Sequence, residues 1–472
     1  MPTSADWPRR TDEHEVTRAL CVAGYQDHRL AERVAELLLT RDLRAIAPSV
    51  GVDLRPVLLH HLAALRHRLL YYSAQAVVLA MTVLVAFQSP VAVLLGWVSA
   101  AILLVADAQR RRRVVSGRLA AGPPPDPPLP VDVVLRDRLR AIDRAQRGNV
   151  TVFSGFRPFV GYGVSLDQWS LALAVRPAGG LDGRPTTSTV VPFTAHLLVE
   201  HVARRLREVG EAPGPVSGLQ VEHRLFVNGI ALADDPRLRP EPDEEPVTSV
   251  DLAEFAGGPA DAPRHYLCAH AVSSGGHVVA SLFMRFTTGE RLLHLEFQEQ
   301  VMPPVDRRYA PGESPTGRIG RQELGELVQI APWRGVVDLL SAPFRVIELA
   351  LFRSRCAAVG RQARQQALDE RTYDYGAAAS ARELAAGTAF HDHFQQADAT
   401  RHLRSVESAA LEAVADFLEE HGVDTTELRN RQLTIFNEGV IQTGGTTSVG
   451  VQAVGRGANA GAENLKVTGR KQ

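Results

Sequence analysis

Residues 69–113 read LLYYSAQAVVLAMTVLVAFQSPVAVLLGWVSAAILLVADAQRRRR. No charged side chain occurs from Leu69 to Ala106, a run of 38 positions. About 20 apolar helical residues cross the hydrocarbon core of a bilayer, so the run is too long for one span and sufficient for two short ones. It breaks at "FQSPV", where Ser89 can cap a helix and Pro90, with its fixed φ and missing N–H, suits a first helical position. Two spans, 69–87 and 90–106, with almost no loop between them are predicted, and Gly96 and Ser99 would let them approach closely. Arg66 and Arg68 precede the first span, Arg110 to Arg113 follow the second, and the turn is uncharged. The positive-inside rule then places both termini in the cytoplasm. The expected setting is the plasma membrane, with a multi-pass protein whose first partner is the lipid bilayer. A helical hairpin buried in a soluble domain has the same apolar run, but the basic brackets at both ends suit a bilayer better.

Working outward, residues 1–68 carry helical spacing punctuated by Pro48, Gly51 and Pro56, and are read as a small cytosolic helical cap. Residues 107–130 form a basic juxtamembrane segment and a proline-rich linker, "AGPPPDPPLP", expected to be an extended spacer that holds the next domain off the lipid surface. Residues 131–320 mix periods. A short helix at 131–147 is followed by the alternating runs "NVTVFSGF" and "WSLALAVRP", and then by a helix whose Leu198, Val202, Leu206 and Val209 share one face. "LQVEHRLFVNGIAL" gives a strand ending in the hairpin signal Asn228-Gly229. "HYLCAHAV", "HVVASLFMRF" and "RLLHLEFQEQV" add three strands joined by glycine turns, an antiparallel meander with a helix on one face.

Residues 321–430 return to helix. Trp333, Val336, Val337, Leu340, Phe344, Ile347 and Leu351 lie on one stripe, which fits packing onto a core and fits, as the alternative, a helix lying on a membrane surface. A last helix, 400–421, carries Leu403, Val406, Ala410, Val414 and Phe417 at spacings of three and four, a seam for a coiled coil or for packing on the domain, and stops at Gly422. "DTTEL" caps one or two further turns of helix. The fold class is therefore α+β: an N-terminal helical cap, a transmembrane helical hairpin, a cytosolic antiparallel-sheet α+β domain, C-terminal helices, and a short glycine/valine β segment at 431–472.

Composition restricts the function. With 52 basic against 53 acidic side chains there is no global field to attract nucleic acid, and no nucleic-acid partner is expected. Cys21, Cys268 and Cys356 are odd in number, widely spaced and without a CxxC pair, which fits a reducing compartment. The diagnostic patterns GxxxxGK[ST], HExxH, GxSxG and the EF-hand run do not occur. "SGFRPFVGYG", 154–163, is a glycine-bearing loop without a phosphate-binding lysine and is read as an ordinary turn. His265, Cys268 and His270 lie on or beside one strand with His277 opening its neighbour, so a small metal site around Cys268 and His270 is geometrically conceivable; a buried cysteine among incidental histidines is the preferred reading. His391 and His393 in "FHDHF" diverge on a helix. No catalytic residue, cofactor site or metal ligand is assigned, and catalysis is not expected.

From Gly439, hexads read GVIQTG, GTTSVG, VQAVGR and GANAGA, with neither charge nor proline from Gly439 to Gly455. So short a repeat cannot bury its own apolar face, so either its missing surface comes from the rest of the chain or from copies of itself, or the segment is a flexible tail. The ending "GVIQTGG…VGVQAVGRGANA", with "DFLEEHGVDTTELRNRQLTIFNEG", "TRALCVAGYQDHRLAERV" and "NVTVFSGFRPFVGYG", resembles uncharacterised two-span integral membrane proteins of high-GC Gram-positive bacteria. The glycine, valine and glutamine run is similar to bacterial amyloid signalling motifs, which implies templated assembly. The expected function is that of a membrane-anchored, cytosol-facing scaffold or sensor that associates with itself or with a protein partner through residues 436–460. The alternatives are a membrane-tethered enzyme with its site in the α+β domain and a membrane-perturbing effector using the 333–351 stripe.

Overall fold

The computed structural model describes residues 13–40, 43–178, 189–235, 237–238, 248–255, 263–289, 291–310, 321–370 and 373–432. The chain divides into a compact unit ending at Thr425 and a second beginning at Thr426. Of the second, residues 426–432 are helical, matching the two turns expected after "DTTEL". The glycine/valine segment 436–460 lies outside the described residues.

The helical cap consists of α1 (Glu13–Gln26), α2 (His28–Leu39) and the first half of α3 (Leu54–Ala86). Asp27 starts α2 by accepting from the N–H groups of Arg29 and Leu30, and Asp53 starts α3 in the same way through Arg55. Leu20, Leu30, Val34, Leu54, Val57 and Leu58 close the core between these helices. Beyond Arg68 the same helix changes surroundings, and Val77, Met81, Val83 and Leu84 are each more than half exposed. The expected boundary at Leu69 is thus a change of environment along one 33-residue helix, not a helix end. The turn at Phe87–Pro90 leads into α4 (Val91–Arg113), N-capped by Pro90, whose Val91, Leu94, Leu95 and Ile102 are likewise exposed. Both helices are long and apolar enough to cross a membrane.

The proline segment is extended, as its composition requires, but it is docked. The Pro125 carbonyl accepts from His60 Nε2 at 2.9 Å, the Gly122 carbonyl accepts from Arg18, and Leu129 and Val131 pack on the cap's core. A polyproline run has no ladder of its own, so its free carbonyls are available to side chains of whatever it crosses.

After α5 (Val133–Arg147) come β1 (Val150–Phe153), β2 (Val164–Ala174), α6 (Ala195–Glu211), β3 (Gln220–Asn228), β4 (Arg264–Ser273), β5 (Val278–Thr288) and β6 (Leu292–Met302). They form one six-stranded sheet in the order β1-β3-β4-β5-β6-β2. All neighbours are antiparallel except β1 on β3, a parallel edge pair that the alternation in the sequence does not reveal. The hairpin expected at Asn228-Gly229 does not form. Asn228 Oδ1 accepts from Ile230 N at 2.9 Å and turns the chain into a helical turn at Ala231–Asp234, while Gly229 N donates to Phe153 O at 2.8 Å.

The remaining helices are α7 (Arg321–Ala350), α8 (Phe352–Asp369), α9 (Ala381–Ala385) and α10 (His393–Glu420). Helices α6 and α10 cover one face of the sheet, and Leu403, Val406, Ala410, Val414 and Phe417 are all buried, so the α10 seam packs on the domain. Helix α7 packs on α3 and α4 and corrects the preferred reading of its stripe. Trp333, Val337, Leu340, Phe344 and Ile347 point outward at 58–82% exposure, and the seam is made by Ala331, Gly335, Leu339 and Ala342. A Cβ on Gly335 would stand 3.2–3.4 Å from the backbone of Ala100 and Ala101, so a side chain there would crowd this close approach. Tyr71 donates to Asp338 at 2.7 Å and Trp97 Nε1 donates to the Pro332 carbonyl at 2.8 Å. Ala331, Gly335 and Ala342 let the backbones approach closely at the seam, while the large apolar side chains lie outside it.

Candidate functional site

The strand register sorts the sheet into two unlike faces. One meets α6 and α10 through Leu267, Leu282, Met284, Leu295 and Phe297. On the other, Glu222 stands opposite Cys268 and Phe283, Arg224 opposite Tyr266, and His270 opposite Ser281. With a side-chain period of two, the alternate residues Glu222 and Arg224 must share this face. Arg224 binds Glu222 with two N–H groups at 2.9 and 3.3 Å and reaches Thr151 at 3.4 Å. His270 Nδ1 lies 2.9 Å from Ser281 Oγ and Nε2 lies 3.3 Å from Glu222 Oε1, with the Tyr162 ring stacked on the imidazole at 5.3 Å.

Burial works against the Glu222 charge, but the Arg224 guanidinium and His270 outweigh it and hold the carboxyl far below its usual range. Arg224 is raised in turn because the Glu222 carboxylate outweighs the cost of its own burial. Burial pushes the Tyr162 hydroxyl and the Cys268 thiol upward. Ser281, His270 and Glu222 are a serine, an imidazole and a carboxylate in series, yet His270 and Ser281 are no more than 1% exposed. The trio is therefore closed to a substrate in this conformation and acts as a hydrogen-bonded brace across β3, β4 and β5.

One register step further along the same face the sheet opens into a cleft of about 810 Å³. Its floor is Phe226, Tyr266, Glu296 and Gln298, and its walls are the loop around Phe159 and the turn from Ala231 to Arg237. Tyr266 donates to Glu296 Oε1 at 2.7 Å, and burial followed by the Glu296 charge raises the phenol. Arg237 lies 3.9 Å over the Phe255 ring and pairs with Asp235, whose carboxyl its hydrogen bonds lower. An aromatic floor with carboxylate acceptors at one end and guanidinium donors at the rim suits recognition of a polar ligand.

The 154–163 loop forms the lip of this cleft. Glu383, from a capping box at the start of α9, accepts from the N–H groups of Gly161 at 3.0 Å and Gly163 at 3.4 Å and pairs with Arg157 at 3.2 Å. Gly161 and Gly163 have φ of 92° and 91°, and a side chain on them would run into the Pro48 and Val301 carbonyls, which is why the loop carries glycine there. Phe156 at its tip is fully exposed.

The histidines and cysteine singled out in the sequence do not converge. Cys268 and His270 share the braced face, whereas His265 lies on the opposite one, stacked on His223 with Nε2 and Nδ1 3.2 Å apart. His277 sits at the β4–β5 turn, 3.4 Å from Glu15. Among the described residues no group of three or more His, Cys, Asp or Glu side chains is arranged to hold a metal ion. His391 precedes α10 and His393 opens it, with Asp392 between them as N-cap. The Glu222–Arg224–His270 brace and the cleft beside it went unseen in the sequence because each needs three strands in register. The one local signal was a pair of opposite charges two apart, Glu222 and Arg224, within one strand.

No curated protein and no solved structure matches the chain. The model of the AbeC-like domain matches residues 168–450, which run from the second half of β2 through α6 and the β3–β6 sheet to α10 and beyond. That span is more than half of the chain and contains the cleft floor and all but Thr151 and Tyr162 of the brace, and the protein belongs to the AbeC-like domain family.

Proposed function

We propose that this protein is a membrane-anchored, cytosol-facing sensor or scaffold that works by recognition and not by bond-breaking. The observation that carries this reading is the outward surface of α3, α4 and α7: Val77, Leu84, Leu94, Ile102, Trp333 and Phe344 are exposed together on helices that pack against each other through small residues. An apolar surface of this extent is stable only when lipid or another apolar partner covers it. The first half of α3 lies inside the core of the folded unit, so the anchor is rigidly continuous with the domain that carries the cleft. Arginines bracket both ends of the hairpin, which supports cytoplasmic termini in the plasma membrane.

In this reading the cleft over Tyr266 and Glu296 takes a polar ligand or peptide, and residues 436–460 recruit a partner or a second copy, in keeping with their resemblance to amyloid signalling motifs. Two experiments test it. The full chain should stay with membranes through alkaline carbonate extraction; release into the wash would end the anchoring claim. Deletion of 436–472 should lower the particle mass in detergent, and an unchanged mass would remove the recruiting role from that segment while leaving the anchor intact.

A further inference from the structure

We propose that a basic pocket where α3 and α4 leave the folded unit binds the phosphate of an anionic lipid headgroup. The pocket encloses about 240 Å³. Arg66 comes from α3, Arg110 and Arg111 from α4, and Arg118 from the turn after α4, while Tyr25 and His60 close the base. Its charge is uncompensated. Asp107 is already engaged by Arg111 at 2.8 Å and by His67 at 3.5 Å, and Asp126 is engaged by Arg55 at 3.5 Å. Among the described residues no carboxylate lies within ion-pair distance of Arg66, Arg110 or Arg118. Three exposed guanidinium groups around one cavity repel each other unless an anion sits between them, and a phosphate offers several oxygens to such donors at once.

The backbone is shaped for this. Helix α4 continues into a π-helical turn, Val114–Arg118, in which Leu119 N donates to Val114 O. Wide turns of this kind concentrate at functional sites because they cost hydrogen-bond quality and reorient the residues after them. Here Val115 and Leu119 are buried in the cap's core, and Arg118 is left at the pocket mouth. The base is neutral and committed. The Pro125 carbonyl can only accept, so His60 Nε2 carries the proton and Nδ1 accepts from the Tyr25 hydroxyl at 3.1 Å.

Position distinguishes a lipid from a free phosphate, and this step rests on the membrane reading given above. Leu70, half exposed, lines the pocket one turn beyond Arg66, and the uncharged apolar surface of the hairpin begins there. A headgroup phosphate at the cytoplasmic boundary would meet the arginines while its acyl chains lie along α3 and α4. At about 240 Å³ the pocket has room for a phosphate group.

The test uses the full chain, purified in neutral detergent from whole cells without a carbonate wash and mixed with equal phosphatidylcholine and phosphatidylglycerol, with bound lipid counted by native mass spectrometry. Wild type should retain phosphatidylglycerol selectively. R66Q/R110Q/R118Q should lose that retention by roughly tenfold or more, while R113Q/R136Q/R140Q, which removes the same charge outside the pocket, should match wild type within about twofold. Equal loss in both triple variants, or no loss in the first, overturns the proposal. So does displacement of phosphatidylglycerol from wild type by millimolar inorganic phosphate, which would make this a site for the free anion. Carbonate extraction of both variants is read separately: if wild type itself is washed off, the anchoring claim fails, whereas lipid selectivity is still measured on the purified chain.

Discussion

Glu299 illustrates how single residues carry tension in this fold. It projects from β6 toward α10, 4% exposed, and shares Arg404, at 3.4 Å, with Glu407, which Arg404 contacts at 2.9 Å and to which Trp169 donates at 2.6 Å. Burial raises the Glu299 pKa to about 7, with Glu407 and Asp167 adding to the shift and Arg404 opposing it. A carboxyl whose folded pKa lies above its unfolded value binds more protons when native. Stability therefore falls as pH rises from about 4.5 to about 7 and is flat above. Glu299→Gln should flatten that window in chemical denaturation and raise stability at pH 8 by up to about 3 kcal/mol. Arg382 is the opposite case. Fully buried, it donates to the carbonyls of Val50, Gly276 and His277, joining the helical cap to the β4–β5 turn. Burial lowers its pKa to about 9, which still leaves it charged at neutral pH. Arg382→Ala strands three buried carbonyls and should cost about 3 kcal/mol or more, read as a lower denaturation midpoint with an unchanged slope.

Among the elements, α7 is the one whose sequence admits two readings. Its apolar stripe fits a core helix as well as a lipid-facing one, because periodicity records that one side differs from the other without saying which side meets protein. The seam decides. Gly335 lies against the backbone of Ala100 and Ala101, and Tyr71 reaches Asp338 across it. Gly335→Leu should abolish the packing and expose Asp338 without its Tyr71 partner, lowering the yield of folded protein in detergent. Helix α10 shows its seam and its end in its residues, because its spacings of three and four end at Gly422, whose φ of 70° stops the helix, but its first two turns, from His393, and the packing of the seam on the domain came only from the structure.

For the whole molecule, the consequence is one compact unit from cap to sheet. The hairpin grows out of the same core that holds α1, α2 and α5, and the proline segment is fastened to that core in place of acting as a free tether. In the proposed orientation, protease added outside intact cells should leave the region after residue 113 uncut, and inverted vesicles should expose it. The reverse pattern would put the cleft on the other side of the bilayer.

The features that the sequence determined by itself are those that depend on neighbours along the chain: the uncharged run from Leu69 to Ala106 with its break at Pro90, the glycine-separated strands of the meander, and the apolar seam of α10 with its stop at Gly422. Absence of charge and a repeating period are local facts, and they survive folding. The tertiary structure alone decided which way α7 faces, that β1 pairs in parallel at the edge, and that Glu222, Arg224 and His270 lock together. It also brought Arg66, Arg110 and Arg118 around one pocket. Each of these depends on two or more surfaces meeting across long separations, and the free energy of such a meeting lies in shape and charge complementarity that no single stretch of residues contains.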